Sequence, residues 1–164
     1  MKKIIVSMLL LLPIGLSAQE LKFAIVNTSE IFVLMPEAST AESELATLRQ
    51  QLEKESKSME DEYTRKLTDF QMQSDSLNEN IRNLRIREIE DIRGRLENFN
   101  ASAPEQYEKR QSELVTPIQE KIFKAIESVG EENGYSILNP QVFLHRGKGI
   151  VDATEQVKAK LGLK

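Results

Sequence analysis

The chain has 164 residues, 40% of them apolar and only 5% aromatic, with 29% charged, no Cys, no Trp and a formal net charge of -4. Its length suits one modest domain. The missing cysteines exclude thiol catalysis, disulfide scaffolding and thiolate metal sites, and the single His145 leaves little for a catalytic triad or a histidine metal site.

At the N-terminus, Lys2 and Lys3 precede an apolar run from Ile4 to Leu12, and Leu16-Ser17-Ala18 offers a small residue at a cleavage position. This is the pattern of a secretory signal over residues 1–18. The other reading is a short membrane anchor, but the run falls well below the roughly 20 residues that span a bilayer. Pro13 and Gly15 also interrupt it. Cleavage after Ala18 removes two lysines and takes the net charge from -4 to -6. The expectation is an exported, acidic, soluble protein, whose cysteine-free core is stabilised by oligomerisation.

The segment 19–35 opens with β signals at Leu21–Val26. From Pro36 to Val129 the composition changes: Gly94 is the only glycine, and Ala, Leu, Glu, Gln, Lys, Arg and Ser dominate, as in long solvated helices. Pro36 suits a first helical turn, and Glu37, Glu42 and Glu44 complement the helix dipole. Apolar residues at Leu45, Leu48, Leu52, Met59, Tyr63, Leu67, Phe70 and Leu77 step by three, four, seven, four, four, three and seven. That is a thin coiled-coil seam with a stutter. A second seam runs through Ile81, Leu84, Ile89, Ile92, Leu96, Phe99, Ala103 and Tyr107, and continues at Leu114, Ile118, Ile122, Ile126 and Val129.

Between the seams, Gln73-Ser74-Asp75-Ser76-Leu77-Asn78 clusters turn residues, and Asp75, Ser76 or Asn78 can each cap a new helix. The spacing predicts an antiparallel hairpin arm over 36–129 with its turn near 74–79. One unbroken helix is the alternative the polar cluster does not forbid. Pro104 and Pro117 are expected to kink or interrupt the second helix, with a possible fresh start at Pro104.

Residues 130–164 return to β signals at Tyr135–Leu138 and Val142–Leu144, with Gly134 placed to end the preceding helix. Asp152 or Thr154 can cap a closing helix over Glu155–Leu161. The expected class is α+β and mostly α, a long helical hairpin inserted in a small β head. A head of about 60 residues buries too little surface to be comfortable alone, so several chains are expected to share a core. Candidates for it are Phe23, Ile25, Ile118, Ile122, Ile126, Val129, Ile137, Leu138, Val142 and Leu144.

The run Leu114-Val115-Thr116-Pro117-Ile118-Gln119-Glu120-Lys121-Ile122, then Ala125-Ile126, Val129, Gly134-Tyr135 and Asp152-Ala153-Thr154 before Val157, resembles the C-terminal half of the OmpH/Skp periplasmic chaperones. The order of parts is similar over essentially the whole mature chain. The resemblance implies a jellyfish-shaped homotrimer, with a shared β-barrel body and three helical arms around a cavity. It further implies an ATP-independent holdase for unfolded outer-membrane β-barrel proteins, with no cofactor. Candidate client contacts are Tyr63, Phe70, Met72, Ile86, Phe99 and Tyr107. Tyr63, Phe70 and Phe99 fit the arm's own seam better, whereas Met72 and Ile86 lie off the stripe.

The relatives are strongly basic and this chain is not, so lipopolysaccharide binding is not carried over and lipid contact stays open. Arg82, Arg85 and Arg87 form the one locally positive stretch, either pairing with Glu88, Glu90 and Asp91 at helical spacing or steering clients or lipid. The rival from another class is a structural coiled-coil envelope protein with one fixed partner. An enzyme is disfavoured because carboxylates on solvated helices gather around no pocket and His145 has no companions. Acidity and export disfavour nucleic acid, and no stable membrane insertion is expected.

Overall fold

The computed structural model describes residues 22–73, 76–138 and 149–163, apart from the side chain of Leu138. The expected signal, the strand at Val142–Leu144 and His145 lie outside those residues. The element order is β1 (Lys22–Ile25), α1 (Thr28–Leu34), α2 (Pro36–Gln73), α3 (Glu79–Asn133), β2 (Tyr135–Leu138), β3 (Val151–Asp152) and α4 (Thr154–Lys160).

Strand β1 is central in a three-stranded sheet of order β2-β1-β3, and both its neighbours run parallel to it. The register sets Lys22 against Tyr135 and Ile25 against Leu138 on one side, and Ile25 against Asp152 on the other. The third strand is thus Val151–Asp152, where the sequence suggested only a helix cap. The Ala153 amide extends that edge by donating to the Ile25 carbonyl at 2.9 Å.

Alternation along β1 sends Ala24 and Val26 into the main core while Phe23 stays 40% exposed. Around Ala24 and Val26 the core gathers Ile31 and Met35, then Ala38 and Ala41 from α2, then Ile118, Ile122, Ala125 and Val129 from α3, and Val157 from α4. The buried cluster therefore crosses the boundary expected at 36 and 129: the root of the arm packs into the head. Ile118, Ile122 and Val129, expected to be shared between chains, are already buried inside one chain.

Local chemistry explains the joints. Asn27 caps α1, its Oδ1 accepting from the Glu30 amide at 3.1 Å while Glu30 accepts from Asn27 Nδ2. Met35 is extended (φ -69, ψ 127), as a residue before proline must be, so α1 stops and α2 begins at Pro36. Asn78 caps α3 by accepting from the Ile81 amide at 3.0 Å, which separates the hairpin's two helices. Gly134 closes α3 in the left-handed conformation (φ 65), a position glycine takes without steric cost. Helix α4 follows Ala153, which makes no side-chain cap bond. Thr154 Oγ1 instead accepts from the Asn27 amide at 2.9 Å, tying the closing helix to the start of α1.

Helix α3 runs unbroken through Pro104 and Pro117, so the expected interruption and fresh start are absent. Each proline deprives the carbonyl four residues earlier of its helical donor. Those carbonyls belong to the exposed residues Asn100 and Glu113, where water can take the donor's place.

Gly130 and Gly94 sit in the same helix and differ in surroundings. A Cβ at Gly130 would lie 3.3 Å from the Tyr135 carbonyl oxygen and 3.5 Å from Ile137 Cδ1, whereas one at Gly94 would meet nothing within 4 Å. Gly94→Ala is expected to raise stability by about 0.5–1 kcal/mol. Gly130→Ala gains the same propensity but forces α3 off β2 at a cost of about 1–3 kcal/mol, a net loss. Paired thermal or urea melts check both signs.

Candidate functional site

Among the described residues, no group of His, Asp or Glu is placed to hold a metal ion, and no helix is long and apolar enough to cross a membrane. The feature with chemical content is the arm. At 1.5 Å per residue, α2 extends about 57 Å and α3 about 82 Å.

The two helices are joined by polar rungs from root to tip. Lys121 donates to Glu37 at 2.5 Å, Arg110 to Glu44 at 2.8 Å, and Arg49 to the Tyr107 hydroxyl at 3.2 Å with its guanidinium 5.3 Å from the ring centroid. Ser56 bonds Asn100 at 2.8 Å, Arg95 approaches Glu62 at 4.0 Å, and Lys66 donates to Glu88 at 3.2 Å. The partners climb one helix as they descend the other, so the pairing is antiparallel. The carboxylate lies on α2 in the charged rungs Glu37, Glu44 and Glu62 and switches to α3 at Glu88. A slipped register would bring like charges together.

These carboxylates are tuned by their cations. The Lys121 ammonium hydrogen-bonded to Glu37 holds its carboxyl below the usual range, and Lys66, then Arg85, do the same for Glu88. Both groups are exposed to solvent, so each contributes modestly.

The structure divides the candidate client contacts. Tyr63, Phe70, Phe99 and Tyr107 are half-buried in the interhelical seam. Met72 is 73% exposed and Ile86 36%. Leu84 (51%) and Ile81 (39%), which the sequence reading placed in the seam, stand out at the same tip. The signal was present: the step from Leu84 to Ile89 is five residues, which swings Leu84 away from the stripe that Ile89 and Ile92 continue. Exposed apolar residues also occur at the root, at Val33 and Leu34 on α1 and at Phe123 on α3.

Of the arginines near the turn, Arg85 pairs with Glu88 at 3.0 Å. Arg82 also has an interaction partner, while Arg87 forms no ion pair among the described residues. Asp91 pairs with Arg95 instead, at 3.3 Å. The solvated-pair reading of this cluster is thus met in part.

In the head, Phe23 and Val151 are exposed on strands β1 and β3, whereas Ile25 is buried. Phe123, Ile126, Tyr135 and Ile137 line an open groove of about 620 Å³ beside β2. Phe123 carries the largest exposed area among these, and its i+3 spacing from Glu120 and Ile126 gave no warning, since it sits one residue past the seam position Ile122. The backbone of Leu138 pairs with Ile25; Val142 and Leu144 lie outside the described residues.

A family model described as outer membrane protein (OmpH-like) matches residues 22–161. No curated protein matches the chain.

The lowered carboxyls give a pH expectation with a definite sign. A depressed folded pKa stabilises above the unfolded value, near 4.5 here, and that contribution is lost as pH falls through the folded pKa. Stability measured by urea melts is expected to fall between pH 5 and pH 3, and the fall is expected to be shallower in Glu37→Gln and Glu88→Gln, which have no carboxyl to protonate.

Proposed function

The chain belongs to the OmpH family, and on that premise we propose that it is an ATP-independent holdase of the periplasm that keeps unfolded outer-membrane β-barrel proteins soluble in transit. The segment 1–18 directs export and is cleaved. The observation that carries the reading is the character of the arm: a long hydrated hairpin whose large apolar side chains Met72, Leu84 and Ile86 are presented at the tip without a continuous apolar face. A rod built for one fixed partner would offer such a face. Transmembrane β-strands alternate apolar and polar residues, and before insertion no closed barrel hides them. Scattered apolar contacts on a charged surface can hold such a chain weakly at many points, and adaptable side chains such as Met72 suit varied clients.

The active assembly is a homotrimer. Parallel sheets are ordinarily covered on both faces, and here Ala24 and Val26 pack on the chain's own helices while Phe23, on the other face of β1, remains exposed. Covering that surface with two further copies closes the head into a shared body and sets three arms around a cavity. No nucleotide, metal or lipid is required for holding a client in this way.

In the test, urea-denatured outer-membrane proteins of several sizes are diluted into buffer with and without the protein, and light scattering is followed. A holdase lowers scattering for most of them; a spacer with one fixed partner protects none, and that outcome sinks the proposal. Met72→Ser with Ile86→Ser is expected to weaken client retention about tenfold, at roughly 0.7 kcal/mol per partly buried contact, while the mass by light scattering stays that of three chains.

A further inference from the structure

Of the eight asparagines in the sequence, Asn133 alone is followed by glycine. Such a pair is the least hindered setting for an intramolecular reaction, because no Cβ shields the glycine amide nitrogen. That nitrogen attacks Cγ of Asn133 and a succinimide ring closes. The Cγ–Nδ2 bond breaks, and the nitrogen departs as ammonia with the Gly134 amide proton. Water then opens the ring. Attack at Cγ leaves aspartate, and attack at the main-chain carbonyl carbon leaves isoaspartate, in which the chain runs on through Cβ and Cγ.

In the folded chain both reacting groups are engaged. The Gly134 amide, the nucleophile, donates to the Gly130 carbonyl, and Asn133 Nδ2, the leaving group, donates to the Val129 carbonyl at 2.8 Å. The second bond turns the side-chain amide back along α3, away from the Gly134 nitrogen. Ring closure requires Asn133 to leave the helical ψ range in which α3 ends, and that rotation breaks the bond from Gly134 to Gly130.

The link to the sheet also has no slack. Strand β2 starts at Tyr135, directly after the cap, and pairs there with Lys22. Gly130 backs onto it so closely that a Cβ would lie 3.3 Å from the Tyr135 carbonyl oxygen. Isoaspartate adds one carbon–carbon bond to the main chain, about 1.5 Å, close to half the rise of roughly 3.3 Å per strand residue. Strand β2 then cannot keep both its register on β1 and its seat on Gly130. The aspartate product keeps the chain length but replaces the Nδ2 donor by a carboxylate at the negative end of α3, beside Glu131 and Glu132.

We propose that Asn133 and Gly134 form a deamidation site gated by folding. It is silent while α3 ends in its native cap, reacts whenever the head opens, and leaves a link from which the head cannot fully close. Chains that stay open are thereby marked irreversibly. The gate lies in the head of a single chain and its test requires no client, so it stands or falls separately from the holdase reading.

In the test, the full chain is held in native buffer and in concentrated urea at the same mildly alkaline pH and temperature. Peptides carrying Asn133, Asn98 and Asn100 are followed by mass spectrometry, and isoaspartate is counted by methyl transfer with an isoaspartate-specific methyltransferase. Asn133 is expected to convert at least about tenfold faster in urea than in native buffer. In urea it is expected to outrun Asn98 and Asn100, which are followed by Phe99 and Ala101. Gly130→Ala, which forces α3 off β2, is expected to raise the native rate several-fold and leave the urea rate unchanged; if that variant does not fold, its native rate equals its urea rate. The isoaspartyl chain, separated and returned to native buffer, is expected to melt at a lower urea concentration than the unreacted chain. Equal conversion of Asn133 in native buffer and urea, a native rate unmoved by Gly130→Ala, or an isoaspartyl chain that melts with the unreacted one overturns the proposal.

Discussion

The parallel pairing of β1 with β2 is the constraint from which the rest of the architecture follows. Parallel neighbours cannot be joined by a tight turn, so everything from Val26 to Gly134 must act as a crossover connection. A crossover usually lies against its sheet. Here it is a two-helix hairpin whose ends stand side by side, so its length is independent of the distance it must bridge. The sheet is satisfied whether the hairpin is short or long, which frees α2 and α3 to project as an arm. The head in turn anchors the arm, because Ala38, Ala41, Ile118, Ile122 and Val129 belong to the same core as Ala24 and Val26.

Stability is therefore unevenly distributed. Near the head, small alanines on α2 let α3 approach closely and bury branched side chains. The C-terminal helix is tied back by the Thr154 to Asn27 bond and by Lys158, which pairs with Glu155 at 2.8 Å and also with Glu30. Beyond Leu45 the two helices face water on most of their surface, and two helices alone cannot bury a wide seam. Charged rungs then do what an apolar core would otherwise do: they select one register without adding much stability. An arm of this kind stays hydrated while presenting a few large apolar side chains at its tip, the combination that weak, unspecific holding of an extended chain requires.

Legibility in the sequence followed the range of the interactions. Pro36, Asn78 and Gly134 act on their own backbone, so the helix start, the turn and the helix end could be read directly. The apolar spacing separated Met72 and Ile86 from the seam for the same reason. Pro104 and Pro117 misled because the expected break assumes that the lost hydrogen bond is costly, and at exposed carbonyls it is not. Leu84 was misplaced because its five-residue step was absorbed into a stripe. The spacing of Ile118, Ile122 and Val129 marked them as core residues, but not that they would pack on the chain's own head, because nothing local names a distant partner.

By itself the sequence indicated the elements with local causes: long amphipathic helical segments, a polar cluster between them with three candidate caps that favoured a hairpin, and a head assembled from both ends of the chain. Only the tertiary structure decided that Val151–Asp152 is a two-residue strand, β3, and that the described strands are all parallel with β1 at their centre. It likewise showed that the root of the arm is part of the head's core and that the helices meet through Ser56 and Asn100 at mid-arm. Those outcomes depend on contacts between residues far apart along the chain, and no periodicity or cap records which distant partner a side chain will meet.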